Sequence, residues 1–160
     1  MLFRSEPFDA EVRRRFLTTW ERTARGECER WQATPLASLA LIVVLDQFPR
    51  NMFRGTARSF ASDSLALAAA RETIARGFDL LLSPVERLFI YLPFEHAEDL
   101  AAQRRSLALC HALDPEDMQY AKRHYEVIAR FGRFPHRNAI LGRQSTAEEA
   151  EFLKQPGSSF

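Results

Sequence analysis

Three short stretches hold the residues best suited to chemistry. Asp46-Gln47-Phe48-Pro49-Arg50-Asn51 joins an acid, two amides and an arginine. Phe94-Glu95-His96-Ala97-Glu98-Asp99 sets three acids around a histidine. The stretch 130–143 holds Arg130, Arg133, Arg137 and Arg143 with His136 and Asn138, and no acid. Arginine forks bind carboxylate or phosphate through two parallel hydrogen bonds. His96 and His136 are of the one residue type that titrates near neutral pH and could move protons. These residues therefore point to an anion site made from Asp46, Arg50, Asn51, Glu95, His96, Arg130, Arg133, His136, Arg137 and Asn138. The competing expectation is a polar latch. In it the arginines cap helix C-terminal carbonyls and pair with Asp46, Glu95, Glu98 and Asp99 between helical hairpins.

Other chemistries find less support. His96 and Asp99 stand three residues apart, but there is no H-x-x-x-H and no Cys/His cluster, so no metal is expected. Cys110 and His111 are neighbours, which on a helix point about 100° apart, so Cys110 reads as core rather than nucleophile. No G-x-x-x-x-G-K, G-x-G-x-x-G or G-x-S-x-G is present, and no cofactor is expected. The 130–143 patch is short and isolated, so no nucleic-acid partner is expected.

The elements that must position these residues are legible from punctuation. Phe8, Val12, Phe16 and Trp20 recur every four residues, one face of a helix over Asp9–Arg25 that Gly26 ends. Thr34-Pro35 pairs an N-cap with proline at the first helical position, opening a helix to Phe48 that Pro49 stops. Ser62 or Asp63 caps a helix over Ser64–Arg76, ended by Gly77. Ser83-Pro84-Val85-Glu86 is a capping box, and its helix stops near Pro93. A helical stretch over Glu95–Ala112 follows. Asp114-Pro115 opens another to Phe131, with Gly132 beyond it. Thr146 and Glu149 form a second capping box, for a short helix to about Lys154. Residues 155–160, with Pro156, Gly157 and Ser158, are expected to fray.

No strand alternates convincingly, so the fold class is all-α, one domain over 1–160. Pro49, Pro93 and Pro135 are spaced by 44 and 42 residues, and each follows an apolar residue. That period is what stacked antiparallel helical hairpins give. Stacking would bring the three polar stretches to one side of the molecule.

Composition sets the remaining bounds. In 160 residues, 46% are apolar and 27% charged, the mix of a globular domain rather than a disordered chain. Lys+Arg number 22 against 21 Asp+Glu, so bulk charge favours neither nucleic acid nor an anionic membrane. Lys122 and Lys154 are the only lysines among those 22. The longest apolar run, Leu36–Leu45, is about half the ~20 residues of a membrane span, and no signal peptide is visible in Met1–Glu11. Two cysteines, Cys28 and Cys110, build no disulfide framework, and the cytoplasm is the expected compartment.

Leu45-Asp46-Gln47-Phe48-Pro49-Arg50-Asn51, Tyr91-Leu92-Pro93-Phe94-Glu95-His96 and Arg130-Phe131-Gly132-Arg133-Phe134-Pro135-His136-Arg137-Asn138 resemble the signature stretches of a bacterial family, domain of unknown function 924. Leu141-Gly142-Arg143-Gln144-Ser145-Thr146 is similar as well, and the resemblance runs from about Phe8 to Phe160. It implies a tetratricopeptide-like, right-handed superhelix, and no established activity, substrate or cofactor. Family members carry a longer N-terminal segment rich in Trp and Phe, where this sequence has only Met1-Leu2-Phe3-Arg4. The leading functional expectation is a binding module for an anionic small molecule or acidic peptide. Next is an enzyme with His136 or His96 as base and Arg133 and Arg137 stabilising negative charge. Last is a structural or assembly protein without a ligand. The oligomeric state has no sequence signal.

Overall fold

The computed structural model describes residues 5–113 and 115–160, the side chains of 115–117 excepted. The described residues form seven α-helices and four short 3-10 turns, with no strand among them. One domain over 1–160 was expected; by packing, the chain divides into two compact units, Met1–Ala97 and Glu98–Phe160.

The first unit contains α1 (Glu6–Ala24), α2 (Pro35–Met52), α3 (Asp63–Ala75) and α4 (Pro84–Glu95). The local start signals act as expected. Thr34 accepts from the Ala37 amide, and Ser83 and Glu86 complete a reciprocal capping box. Helix α2 lies at the centre, packed on α1, α3 and α4. Its apolar residues explain this, since Leu41, Ile42, Val44 and Leu45 are all buried. Val12 and Trp20 of α1 join Val44, Met52 and Phe53 in one cluster, with Phe16 and Phe48 against it. The α1 stripe is buried only from Val12 onward; Phe8, in the first turn, is exposed.

Two stops fail for a physical reason. Helix α2 runs three residues past Pro49, and α4 two past Pro93. A proline inside a helix removes the bond to the carbonyl four residues back. For Pro49 that carbonyl belongs to Leu45, and the Ser62 hydroxyl donates to it instead. Ser62 is in turn the acceptor for Trp20 Nε1 at 2.9 Å. It occupies the N-cap position of α3 but makes no capping bond, because its hydroxyl is used here. Beyond the prolines, helical bonding resumes: the Phe53 amide donates to Pro49 and that of His96 to Leu92, each at 2.9 Å.

The second unit contains α5 (Leu100–His111), α6 (Pro115–Phe131) and α7 (Ala147–Phe152). Helix α5 packs along α6 as a hairpin. It starts later than expected, because Asp99 caps it by accepting from the amides of Ala101 and Ala102. The expected cap Asp114 lies outside the described residues, as do Met1–Arg4. Gly132, at φ +71°, takes the left-handed conformation that ends α6. Val127, Ile128 and Phe134 form the core, with Leu100, Phe131 and Phe152 against it. Pro135 opens a 3-10 turn, Pro135–Arg137, rather than merely following a helix. Residues 155–160, for which fraying was expected, make specific contacts. Arg123 donates to the Gly157 carbonyl at 3.0 Å and Ser158 Oγ to that of Leu153 at 3.1 Å.

No helix among the described residues is long and apolar enough to cross a membrane.

Candidate functional site

In the first unit, α2 and α4 bring Asp46, Arg50 and His96 together. The fourth member is Asp63, which the sequence offered only as a helix cap. Asp46 is fully buried, Arg50 is 8% exposed and the His96 side chain 16%. Asp46 Oδ1 lies 2.8 Å from His96 Nδ1, and Gln47 Nε2 donates to Oδ2. Arg50 grips both oxygens of Asp63 at 2.8 and 3.0 Å and donates to the Asp46 carbonyl at 2.6 Å. Glu95, beside His96 on α4, is buried as well.

Burial raises the pKa of the Asp46 carboxyl, but Arg50 and His96 overcome this and hold it well below the usual carboxylate range. His96 moves down from 6.5: burial and then Arg50 disfavour its charged form more than Asp46 favours it. The pair is thus an ionised acid facing a neutral imidazole. Because a carboxylate only accepts, the proton between them sits on Nδ1, and Nε2 is the basic nitrogen.

Asn51 works elsewhere. Its amide donates to Asp9 of α1 at 2.8 Å, and Arg54 forks the same carboxylate at 2.8 and 3.1 Å. That contact ties α2 to α1.

In the second unit the arginine-rich stretch is not the uncompensated run it resembles in sequence. Arg133 forks Glu149 at 2.7 and 2.8 Å. Arg143 forks Glu98 at 2.6 and 2.9 Å, and Arg130 pairs with Glu148 at 2.8 Å. Asn138 bridges the network, accepting from Arg143 and donating to Ser145 and Glu149. Its hub is Glu149, 2% exposed. Arg133 foremost holds its carboxyl at about 2, against the opposing effect of burial. Arg137 and His136 both stand against Phe134: the Arg137 guanidinium carbon is 4.6 Å from that ring and the His136 ring 5.6 Å, and Arg137 also helps to hold down the Glu98 pKa. Asp99 caps α5, accepting from the Ala101 and Ala102 amides. Among the described residues no group of three or more His, Cys, Asp or Glu could hold a metal ion.

Of the acids that complete these contacts, Glu98 is one the latch expectation named, whereas Glu148 and Glu149 were not expected as partners. Glu149 and Glu98 lie 16 and 45 residues from their arginines, and Glu149 also serves the Thr146 capping box. A groove of about 400 Å³ lies in the first unit, lined by Thr34, Pro35, Leu36, Leu81, Leu82 and Glu86. None of the candidate residues lines it. Its single carboxylate, Glu86, is engaged in the Ser83 capping box.

Helices arranged this way, with a buried Asp–His pair in one unit and an arginine–carboxylate network in the other, define an all-α protein with two polar centres. The chain belongs to a bacterial family of proteins of unknown function, DUF924, whose model matches residues 2–157. It is similar to a solved structure from Agrobacterium tumefaciens, the protein of unknown function ATU0120, at 45% identity and a TM-score of 0.93. That match covers 96% of this chain and 87% of the other. No curated protein matches.

Proposed function

We propose that the protein is an enzyme of the acid–base kind, with His96 as the proton-accepting group and Asp46 as its positioning residue. The observation that carries this is the 2.8 Å contact between Asp46 Oδ1 and His96 Nδ1, with the acid fully buried. Arg50 forks Asp63 and lies 3.4 Å from Asp46, yet Asp46 makes its closer contact with the His96 ring. Burying a second carboxylate against an imidazole costs desolvation, and such perturbed groups concentrate at functional sites. The buried acid fixes the tautomer and orientation of the ring, as a base and its orienting group require. The lowered pKa keeps His96 neutral at pH 7, the form that accepts a proton. The test is acylation of the native protein by diethyl pyrocarbonate, which attacks neutral imidazole. His96 should react with a midpoint below pH 6.5. Asp46→Asn removes the carboxylate that favours protonation, so its midpoint should fall further. An unreactive His96, or one titrating at its ordinary value, overturns the reading.

A binding module for an anionic small molecule or acidic peptide is the second reading. It is supported by the Arg130–Glu148 pair, whose side chains are 49% and 63% exposed, so an outside anion can exchange with Glu148 at small cost. A tetratricopeptide-like superhelix in the cytoplasm would suit either reading. Binding of an oligoglutamate peptide that weakens with salt and is lost in Arg130→Ala would support the module; binding insensitive to both would exclude it.

A further inference from the structure

Where α2 and α4 begin, the first unit leaves apolar side chains uncovered. Leu36 and Leu81, which line the groove of about 400 Å³, are 62% and 72% exposed. Leu80 and Val85, each next in sequence to a lining residue, are both 68% exposed. A single exposed leucine is ordinary, but apolar side chains gathered at one groove mark a site of association. The groove is held in shape by its own elements. Leu80 and Leu81 lie in the 3-10 turn Asp79–Leu81, and buried Asp79 accepts from the Tyr91 hydroxyl of α4 at 2.7 Å.

Glu86 is the one charged residue that lines it. The Ser83 amide and hydroxyl both donate to its Oε2, at 2.8 and 2.6 Å. Its Oε1 has no hydrogen bond or ion pair among the described residues. The cations nearest in sequence are used elsewhere: Arg87 donates to the Tyr91 hydroxyl at 3.2 and 3.3 Å. Arg76 donates to the Gln32 carbonyl and stands 4.3 Å from the Phe78 ring. The groove therefore pairs an apolar floor with one carboxylate that no cation neutralises.

That combination selects among the ways a protein receives a peptide. Adding a strand needs a sheet edge, and the described residues hold no strand. A proline-rich segment needs aromatic walls, and an acidic or phosphorylated motif needs arginines; neither lines this groove. An anionic membrane surface is drawn to lysine and arginine, and Glu86 opposes it. What fits is a helix with leucine-type anchors on one face and a cation at its edge.

We propose that this groove docks a basic amphipathic helix of a partner protein, with aliphatic anchors seated against Leu36, Leu81 and Leu82 and a lysine or arginine meeting Glu86. The site is separate from the proposed chemistry of His96 and stands or falls without it.

The test is a fluorescence-anisotropy titration with a labelled model peptide of leucine and lysine, about 18 residues or five helical turns long. Its leucines recur at i, i+3, i+4 and i+7. A second peptide has glutamate in place of every lysine. The proteins are wild type, Leu81→Ser and Glu86→Gln. Leu81 is largely exposed, and glutamine also completes a capping box, so both variants should fold, which circular dichroism checks. Leu36→Ser, on another element, should act as Leu81→Ser does and decides if that variant misfolds. The lysine peptide should bind wild type with amide shifts at Leu36, Leu81 and Leu82. Leu81→Ser should weaken it roughly tenfold, as for one lost leucine contact. Glu86→Gln should weaken it about two- to fivefold, as for one exposed ion pair, and narrow the preference for lysine over glutamate peptide. No binding, shifts elsewhere, or an affinity unchanged in either variant overturns the proposal. So does a wild-type dimer that Leu81→Ser dissociates in sedimentation, which would assign the groove to a second copy. Flotation with phosphatidylglycerol vesicles that is lost in Leu81→Ser would assign it to a membrane and overturn the proposal too.

Discussion

The Ser62 hydroxyl donates to the Leu45 carbonyl, the group that Pro49 deprives of its helical partner. The same oxygen accepts from Trp20 Nε1, so one buried side chain satisfies two buried polar groups on α1 and α2. Ser62→Ala leaves both without that partner. At about 1–3 kcal/mol for each of the two unsatisfied groups, the loss should be about 2–6 kcal/mol in urea unfolding. Pro49→Ala restores an amide able to reach Leu45. In that background Ser62→Ala should cost less, and a double-mutant cycle should return a coupling of about 0.5–3 kcal/mol. Strict additivity would disprove the relay.

The Asp46–His96 pair makes stability depend on pH in a known direction. The pKa of His96 is lowered from 6.5 on folding, so the folded state binds fewer protons than the unfolded state. Its contribution is fully present above pH 6.5 and is lost as pH falls through the folded value. Asp46 is lowered too, and its contribution fades only below its ordinary 3.8. Thermal melts from pH 8 to pH 4 should therefore show stability starting to fall near pH 6.5. His96→Gln should flatten that first part of the profile while leaving the more acidic part. A wild-type profile rising toward acid would reverse the assigned sign.

How far the sequence foretold this structure depended on the range of each interaction. Helix starts at Thr34, Ser83 and Thr146 were legible because a cap and its amide lie three residues apart. The stops at Pro49 and Pro93 were misread. Local chemistry ends a helix at proline, but the replacement donor for Leu45 lies 17 residues away. Of the candidate site, Asp46, Arg50 and His96 were picked out by type. Asp63 was hidden by its second role at the start of α3. Within 130–143 the arginines have no acid; the latch expectation set Glu98 among their partners, but Glu149 was hidden by its role in the Thr146 capping box and Glu148 beside it was not singled out.

Glu149 should be the acid-sensitive point of the second unit. Its carboxylate accepts from Arg133, Asn138 and the Thr146 amide, and its pKa is lowered from 4.5 to about 2. Its contribution is present above pH 4.5 and lost as pH falls toward 2. Glu149→Gln should lower stability at pH 7 and flatten the unfolding profile between those limits. An unchanged slope there would assign the acid sensitivity to other carboxylates.

Arg143 and Arg130 differ in what surrounds them, and that should separate their variants. Arg143 and Glu98 are each about a quarter exposed, and the fork also reaches Asn138 and the Phe134 carbonyl. Breaking a fully buried pair costs about 3–5 kcal/mol. Partial solvent access reduces this, so Arg143→Ala should cost about 2–3 kcal/mol. Arg130 and Glu148 are 49% and 63% exposed, and exposed pairs contribute about 0–1 kcal/mol. Arg130→Ala should fall in that range and its effect should vanish in 1 M salt, where screening acts within about 3 Å. Chemical denaturation with urea, which adds no ionic strength, reads both. Equal losses would mean that the Arg143 fork adds nothing beyond a surface pair. A marked loss on replacing Arg130 would mean that this exposed arginine shares in the Glu149 network.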